Sequence, residues 1–148
     1  MFDDVIEEVQ AVMAEKIRQE GFLLTVETGQ GRPFKYDREV MIQVLINLIE
    51  NSMKFGRNAS RREIGIRIRR QEEWVEIMVS DTGPGIPRQA LKKIFDDFYR
   101  VENSLTRATR GTGIGLALVK KFVRLMGGTV SAANNEGCGC TITICLPG

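Results

Sequence analysis

Between Arg62 and Ser80 the chain alternates apolar and polar residues twice, with a three-residue link between the runs. Ile64, Ile66 and Ile68 fall on one side, and Glu63, Arg67 and Arg69 largely on the other. Val75, Ile77 and Val79 repeat the pattern after Trp74. Alternation with a period of two marks strands with one covered face. The link Gln71-Glu72-Glu73 is too short for a crossover, so the two strands form an antiparallel hairpin. A lone two-stranded ribbon is not stable in water, so the rest of the chain must cover its apolar side.

Helical periodicity supplies that cover. Residues 3–20 repeat Val5, Ile6, Val9, Val12, Met13 and Ile17 at helical spacing, and Gly21 ends the run. Asp37 is placed to cap a second helix over 38–55. Its apolar residues, Val40 to Met53, span an arc of roughly 240°, which predicts a mostly buried helix. A short helix is expected over 88–95. A longer one is expected over 113–126, with Ile114, Leu118, Phe122 and Leu125 inward and Gly127-Gly128 as its stop. Further strands are expected over 22–28, 129–134 and 140–146. The implied fold is α+β, a two-layer α/β sandwich in one domain spanning 1–148. Its sheet is mixed and mostly antiparallel, with helices on one face.

Composition removes several functions. A net charge of +2 gives no reason to expect a nucleic-acid partner. No apolar run reaches the ~18 residues of a membrane span. The start Met1-Phe2-Asp3-Asp4 is acidic, unlike a secretory leader, so a cytoplasmic domain without membrane contact is expected. Such a domain can still be one piece of a membrane receptor. Cys138, Cys140 and Cys145 are odd in number and close together, which favours reduced, buried thiols over a disulfide or a metal site. Histidine is absent. Imidazole bases and His-ligated metals are therefore excluded, and the chain has no histidine of its own to phosphorylate.

Three constellations carry candidate chemistry. Asn47, Asn51 and Lys54 share a stripe of about 60° on the second helix. Amide oxygens there suit Mg²⁺, and an ammonium one turn on suits phosphate; a polar helix edge is the plainer alternative. Asp81-Thr82-Gly83-Pro84-Gly85 follows an apolar strand. A carboxylate there can accept from an exocyclic amine such as adenine's, and the glycines let a flat ring approach the backbone; alternatively this is an ordinary turn. Gly111-Thr112-Gly113-Ile114-Gly115-Leu116 opens the last long helix, where free N–H groups attract anions. The run is neither a dinucleotide fingerprint nor a P-loop, because its spacing and flanking elements differ from both.

Taken together and in this order, Asn47 to Leu116 resembles the histidine-kinase branch of the ATPase superfamily that includes gyrase and the MutL repair protein. Asn47 to Phe55 is similar to the branch's asparagine motif and Asp81 to Gly85 to its first glycine motif. Phe95 to Arg100 is similar to its phenylalanine motif, Gly111 to Leu116 to its second glycine motif, and Thr141 to Pro147 to its closing strand. Ser52 stands where Ala is usual, and Phe55 where Tyr is usual.

The resemblance implies a Bergerat-type ATP-binding fold. It implies that Asn51 holds Mg²⁺ with Asn47 close by, that Lys54 contacts phosphate, and that Asp81 reads adenine. Gly83, Gly85 and Ile86 would shape the base pocket, with Thr141 supporting it. Residues 96–111 would form a lid, with Phe95 and Phe98 either as its anchors or as plain core residues. Tyr99 would line the nucleotide with Gly111, Thr112, Gly113, Ile114, Gly115 and Leu116, and Arg100, Arg107 and Arg110 are either phosphate contacts or part of a solvated basic loop. Hydrolysing relatives carry Glu at the place of Asn47; an amide has no basic lone pair to take a proton from water. The implied reaction is γ-phosphoryl transfer from Mg-ATP to a histidine on a separate helical dimerisation domain, and from there to an aspartate on a response regulator. The domain alone is expected to be monomeric. The alternatives are a serine kinase of the anti-sigma type, against which Asn47 argues, and an inactive nucleotide-binding interaction module.

Overall fold

The computed structural model describes residues 2–29, 31, 33–96 and 114–148. The elements run α1 (Phe2–Gln19), β1 (Leu23–Thr28), α2 (Arg38–Gly56), β2 (Glu63–Arg70) and β3 (Trp74–Asp81). A 3₁₀ turn (Arg88–Ala90), α3 (Ile114–Leu125), β4 (Thr129–Asn134) and β5 (Cys140–Pro147) follow. The five strands form one sheet in the order β1-β2-β3-β5-β4. β1 and β2 are parallel, with α2 as their crossover, and the other neighbours are antiparallel. The expected hairpin is present, with Ile66 opposite Val79 and Ile68 opposite Ile77.

Alternation carries the inward side across the sheet. Val26, Ile66, Val79, Ile142 and Ala132 form one row, and Ile68, Ile77, Ile144 and Val130 the next. The β2, β3 and β5 members of these rows are buried in one continuous core under the helices. α1 adds Phe2, Val5, Ile6, Val9, Met13 and Ile17, and α2 adds Met41, Leu45, Leu48, Ile49 and Met53. α2 lies between α1 and α3 and is the most deeply buried helix. Asp3 and Asp4 in the first turn of α1, and Lys16 and Arg18 in its last, oppose the helix dipole favourably. Gly21 at φ +73° lets the chain leave α1 in a left-handed conformation that a side chain would resist. Among the described residues, no helix is long and apolar enough to cross a membrane.

Three details differ from expectation. The 88–95 segment is a 3₁₀ turn followed by further turns, because most of its N–H groups reach back three residues (Ala90 to Pro87, 2.8 Å; Lys93 to Ala90, 2.9 Å). So short a segment gains too few bonds to offset helix nucleation, and buried Ala90, Ile94 and Phe95 set its path instead. In α3 the inward stripe is Leu116, Val119 and Val123, beside Ala117, while Leu118 and Leu125 face outward. Apolar residues surround much of this helix, so periodicity alone permitted either phase, and packing against α2 and β4 selected one. Val12 of α1 is likewise exposed at 59%. Cys138 is exposed ahead of β5, Cys140 is buried, Cys145 is half-buried, and all three are free thiols.

The Asp37 side chain accepts from the Val40 N–H at 3.1 Å and starts α2 where its sequence position indicates. Asp37→Ala leaves that N–H unpaired. We expect a loss of about 1 kcal/mol in urea unfolding with nucleotide affinity unchanged, since the cap lies at the far end of α2 from Asn51.

Candidate nucleotide site

The site forms where the end of β3 meets the last turns of α2. Asp81 ends β3. Ser80 pairs with Thr141 across the sheet, so Asp81 falls beside Cys140 on the helix side. Its Oδ1 accepts from the Gly83 N–H at 3.0 Å and the Cys140 N–H at 3.3 Å. The Ser52 hydroxyl of α2 is a further donor to the carboxylate. Burial pushes the Asp81 carboxyl above the usual carboxylate range, and these three donors pull it part of the way back. The neighbouring Cys140 thiol is pushed up to about 11, first by burial and then by the Asp81 charge, so it stays neutral near pH 7.

The glycines are required by close approaches. A Cβ on Gly83 would lie 3.2 Å from the Gly56 Cα and 3.4 Å from the Phe55 carbonyl oxygen, so α2 presses directly on this turn. Gly85 has φ +83°, and a Cβ there would lie 2.9 Å from Asn134 Oδ1. Asn134 clasps the Ile86 backbone: its Oδ1 accepts from the Ile86 N–H at 2.8 Å and its Nδ2 donates to the Ile86 carbonyl at 2.7 Å. Asn135 Nδ2 donates to the Asp81 carbonyl at 3.2 Å. Thr82 Oγ1 donates to the Arg61 carbonyl and accepts from the Glu63 N–H, tying the loop to the start of β2.

Asn47, Asn51 and Lys54 are half-buried along the edge of the buried arc of α2, as their spacing indicates. Gln43 Nε2 donates to Asn47 Oδ1 at 2.9 Å, one turn apart. Glu50 turns away from this stripe to pair with Lys16 of α1 at 3.2 Å. Gly115, in the first turn of α3, is exposed with open space where a Cβ would project. The Leu116 side chain joins the core, which leaves only its backbone for a ligand.

Thr141 lies on the far side of the sheet from the Asp81 side chain. Alternation along β5 turns it to the face opposite Asp81, where its hydroxyl donates to Asn135 Oδ1. Cys140 lies beside the Asp81 side chain, while Thr141 reaches the Asp81 carbonyl through Asn135. Phe98, Tyr99, Arg100, Arg107, Arg110, Gly111, Thr112 and Gly113, with most of the expected lid, lie outside the described residues, as does the side chain of Ile114. Sequence reasoning missed Ser52, Asn134 and Asn135. The two asparagines carry an ordinary turn signal, and only the strand register aims them at the Asp81 loop.

The family described as histidine kinase-, DNA gyrase B- and HSP90-like ATPase matches residues 36–148. The chain belongs to that family. It is 41% identical over 111 residues to the sensor histidine kinase WalK of Bacillus subtilis (strain 168), covering 75% of this chain and 18% of that one. The sensor protein kinase WalK of Staphylococcus aureus is 40% identical over 113 residues, covering 76% and 27%. The chain therefore spans roughly a fifth to a quarter of these relatives. A nucleotide-free catalytic domain of histidine kinase ThkA superposes with a TM-score of 0.82 at 28% identity, over 99% of this chain and 93% of that one. α1 and β1 precede the family match, yet they lie within this structural likeness. A structure of ThkA with the response regulator protein TrrA has a TM-score of 0.76 at 26% identity, over 98% of this chain and 40% of that one. This histidine-kinase ATPase domain is a catalytic domain of the kind that binds ATP.

Two outcomes test the geometry. The folded-state pKa of Asp81 is raised, so its ionisation costs the unliganded fold stability as pH rises through that value. Asp81→Asn should raise the unliganded Tm near neutral pH, and the gain should vanish in acid where the wild-type group is already protonated. It should also weaken ATP at least about tenfold, the worth of a hydrogen bond to a charged group. A Tm at neutral pH that is unchanged or lower contradicts this account. Gly115→Ala should stabilise the free domain by about 0.5 kcal/mol, since Ala is the better helix former. It should weaken ATP in calorimetry if phosphate needs the open space; equal or tighter binding removes that role.

Proposed function

We propose that this histidine-kinase ATPase domain binds Mg-ATP with adenine on Asp81 and phosphates along the Asn47–Asn51–Lys54 stripe. In this reading it transfers the γ-phosphate to a histidine on a separate helical dimerisation domain of its parent. That phosphate then passes to an aspartate on a response regulator. The observation that supports the reading is that one helix both carries the Asn47–Asn51–Lys54 stripe and packs on the Asp81–Gly83 turn. Ser52 of α2 contacts Asp81, while its neighbour Asn51 belongs to the amide stripe on the adjoining side. Gly56 of the same helix meets Gly83, so base pocket and phosphate stripe are held at one spacing.

The donor set suits Mg²⁺. Among the described residues no cluster of three or more His, Cys, Asp or Glu could hold a metal by itself. Mg²⁺ is commonly held by one or two protein oxygens together with substrate phosphates and water, which the Asn51 amide oxygen can share in. When bound, the ion would offset negative charge on the phosphates. Lys54 adds a cation on the same stripe. Asn47 supplies no base, and its oxygen is engaged by Gln43. Water therefore lacks an activating group on this stripe, whereas a neutral imidazole needs only to be positioned. In the transfer, the imidazole nitrogen forms a bond to phosphorus, the bond to the bridging oxygen breaks, and ADP leaves. The imidazole proton goes to solvent.

The relatives are named sensor kinases, and ThkA has been seen with a response regulator. Both support a place in two-component signalling, on the cytoplasmic side where ATP is available. The test mixes this domain with the histidine-bearing domain of its parent and radiolabelled Mg-ATP. Phosphate on the acceptor should be acid-labile and base-stable, and Asn51→Ala should reduce it by about 100-fold or more, as expected when charge positioning is lost. Acid-stable phosphate on the acceptor, or free phosphate alone, would overturn the reading.

A further inference from the structure

We propose that Ser52 is a positioning residue for base recognition: its hydroxyl fixes the Asp81 carboxyl group in place as a hydrogen-bond acceptor, so that the site takes adenine in preference to an oxo-purine. This rests on the reading of Asp81 as the acceptor for the adenine amine. Ser52 is 2% exposed and is the only buried polar side chain among the described residues. A hydroxyl taken out of water must be hydrogen-bonded or it costs stability. Its partner is Asp81. The placement is set by the helix: Gly56, one turn after Ser52, packs on Gly83, so this face of α2 presses on the Asp81–Gly83 turn.

The chemistry turns on one proton. An ionised carboxylate only accepts hydrogen bonds and has about four lone-pair positions. Gly83, Cys140 and Ser52 fill three of them. The remaining acceptor suits the exocyclic amine of adenine. A protonated Asp81 would instead present a donor, which suits the carbonyl oxygen of hypoxanthine or guanine. Burial favours the protonated form and the three donors oppose it. Two of those donors are backbone groups that come with the fold, and the third is a side chain that α2 could omit. The titratable group facing Asp81 from β5 is the Cys140 thiol, which at about 11 stays neutral while Asp81 titrates. β2 places Ile64 opposite Asp81, and α2 brings Ser52 and the Gly56 backbone to this turn.

The experiment measures the affinities of ATP and ITP from neutral pH down into the acid range, because the raised Asp81 carboxyl takes up its proton as pH falls. It compares wild type, Ser52→Ala and Ser52→Cys, with the unliganded Tm of each. Removing the hydroxyl raises the Asp81 pKa further. ATP binding by Ser52→Ala should therefore fail at a higher pH on acidification than in wild type. ATP affinity near neutral pH should fall about 5- to 10-fold, as for one hydrogen bond to a charged group. The ATP:ITP ratio should narrow, and Ser52→Cys, close in volume with a weaker donor, should fall between. If Ser52→Ala does not fold, the shift of the acid limb is read from Ser52→Cys. An unchanged acid limb with both nucleotides weakened equally would reduce Ser52 to packing and overturn the proposal. A wild type with no preference between ATP and ITP would overturn the Asp81 reading as well, and so separates the two failures.

Discussion

The carboxylate of Asp81 is the junction on which the site depends. It ends the inward-facing line of Val75, Ile77 and Val79 along β3, under a helix, where an unpaired charge would be costly. What makes it tolerable is a set of donors drawn from three parts of the chain: the Gly83 turn, the start of β5 and Ser52 of α2. Each of those parts is thereby fixed relative to the others. The polar group that weakens the core locally also aligns the elements that would bind a nucleotide. Cores that carry such groups at functional sites commonly sacrifice stability there and recover it elsewhere. Here the recovery lies in the sheet rows and in the buried faces of α1 and α2.

The amide stripe on α2 shows the opposite strategy. Asn47 and Asn51 are neutral and half-buried, and lie at the edge of the core. They add oxygen ligands and hydrogen bonds without adding charge to be desolvated. A Glu at the place of Asn47 would bring a base and a second carboxylate to the same helix face. The choice of amide over acid therefore bears on both reaction type and helix packing.

Much of this was legible in the sequence, and the reasons for success and failure are local. The hairpin of β2 and β3 was readable because strict alternation fixes register through the buried face. α2 was readable from Asp37 and its broad apolar arc. α3 was found but turned the wrong way, because Leu116, Leu118, Val119, Phe122, Val123 and Leu125 leave few polar residues to mark its outer side. On β5 one residue decides the face, so Cys140 lies on the Asp81 side and Thr141 on the other. Asn134 and Asn135 were hidden because their partners, Ile86 and Asp81, lie about fifty residues away. Ser52 was visible as a departure from the family's usual Ala, yet only the structure puts its hydroxyl on a carboxylate.

The order of strands has a consequence for biosynthesis. β5 is the last strand of the domain, yet it is inserted between β3 and β4. Gly139, just before it, has φ +88° and backs directly onto the Asp81 carbonyl, where any side chain would collide. A ribosome that has released residues 1–130 has thus delivered the asparagine stripe, Asp81 and both glycine motifs, but not the β5 backbone that donates to the Asp81 carboxylate. Closing that gap needs a contact between residues some sixty positions apart, which forms late when loop closure is slow. Until then β3 has an open edge, the feature of partly made sheets most prone to pairing with the wrong strand. The nucleotide site and the aggregation-prone edge are therefore completed by the same final strand. In a growing chain, competence to bind ATP and safety from misassembly arrive together.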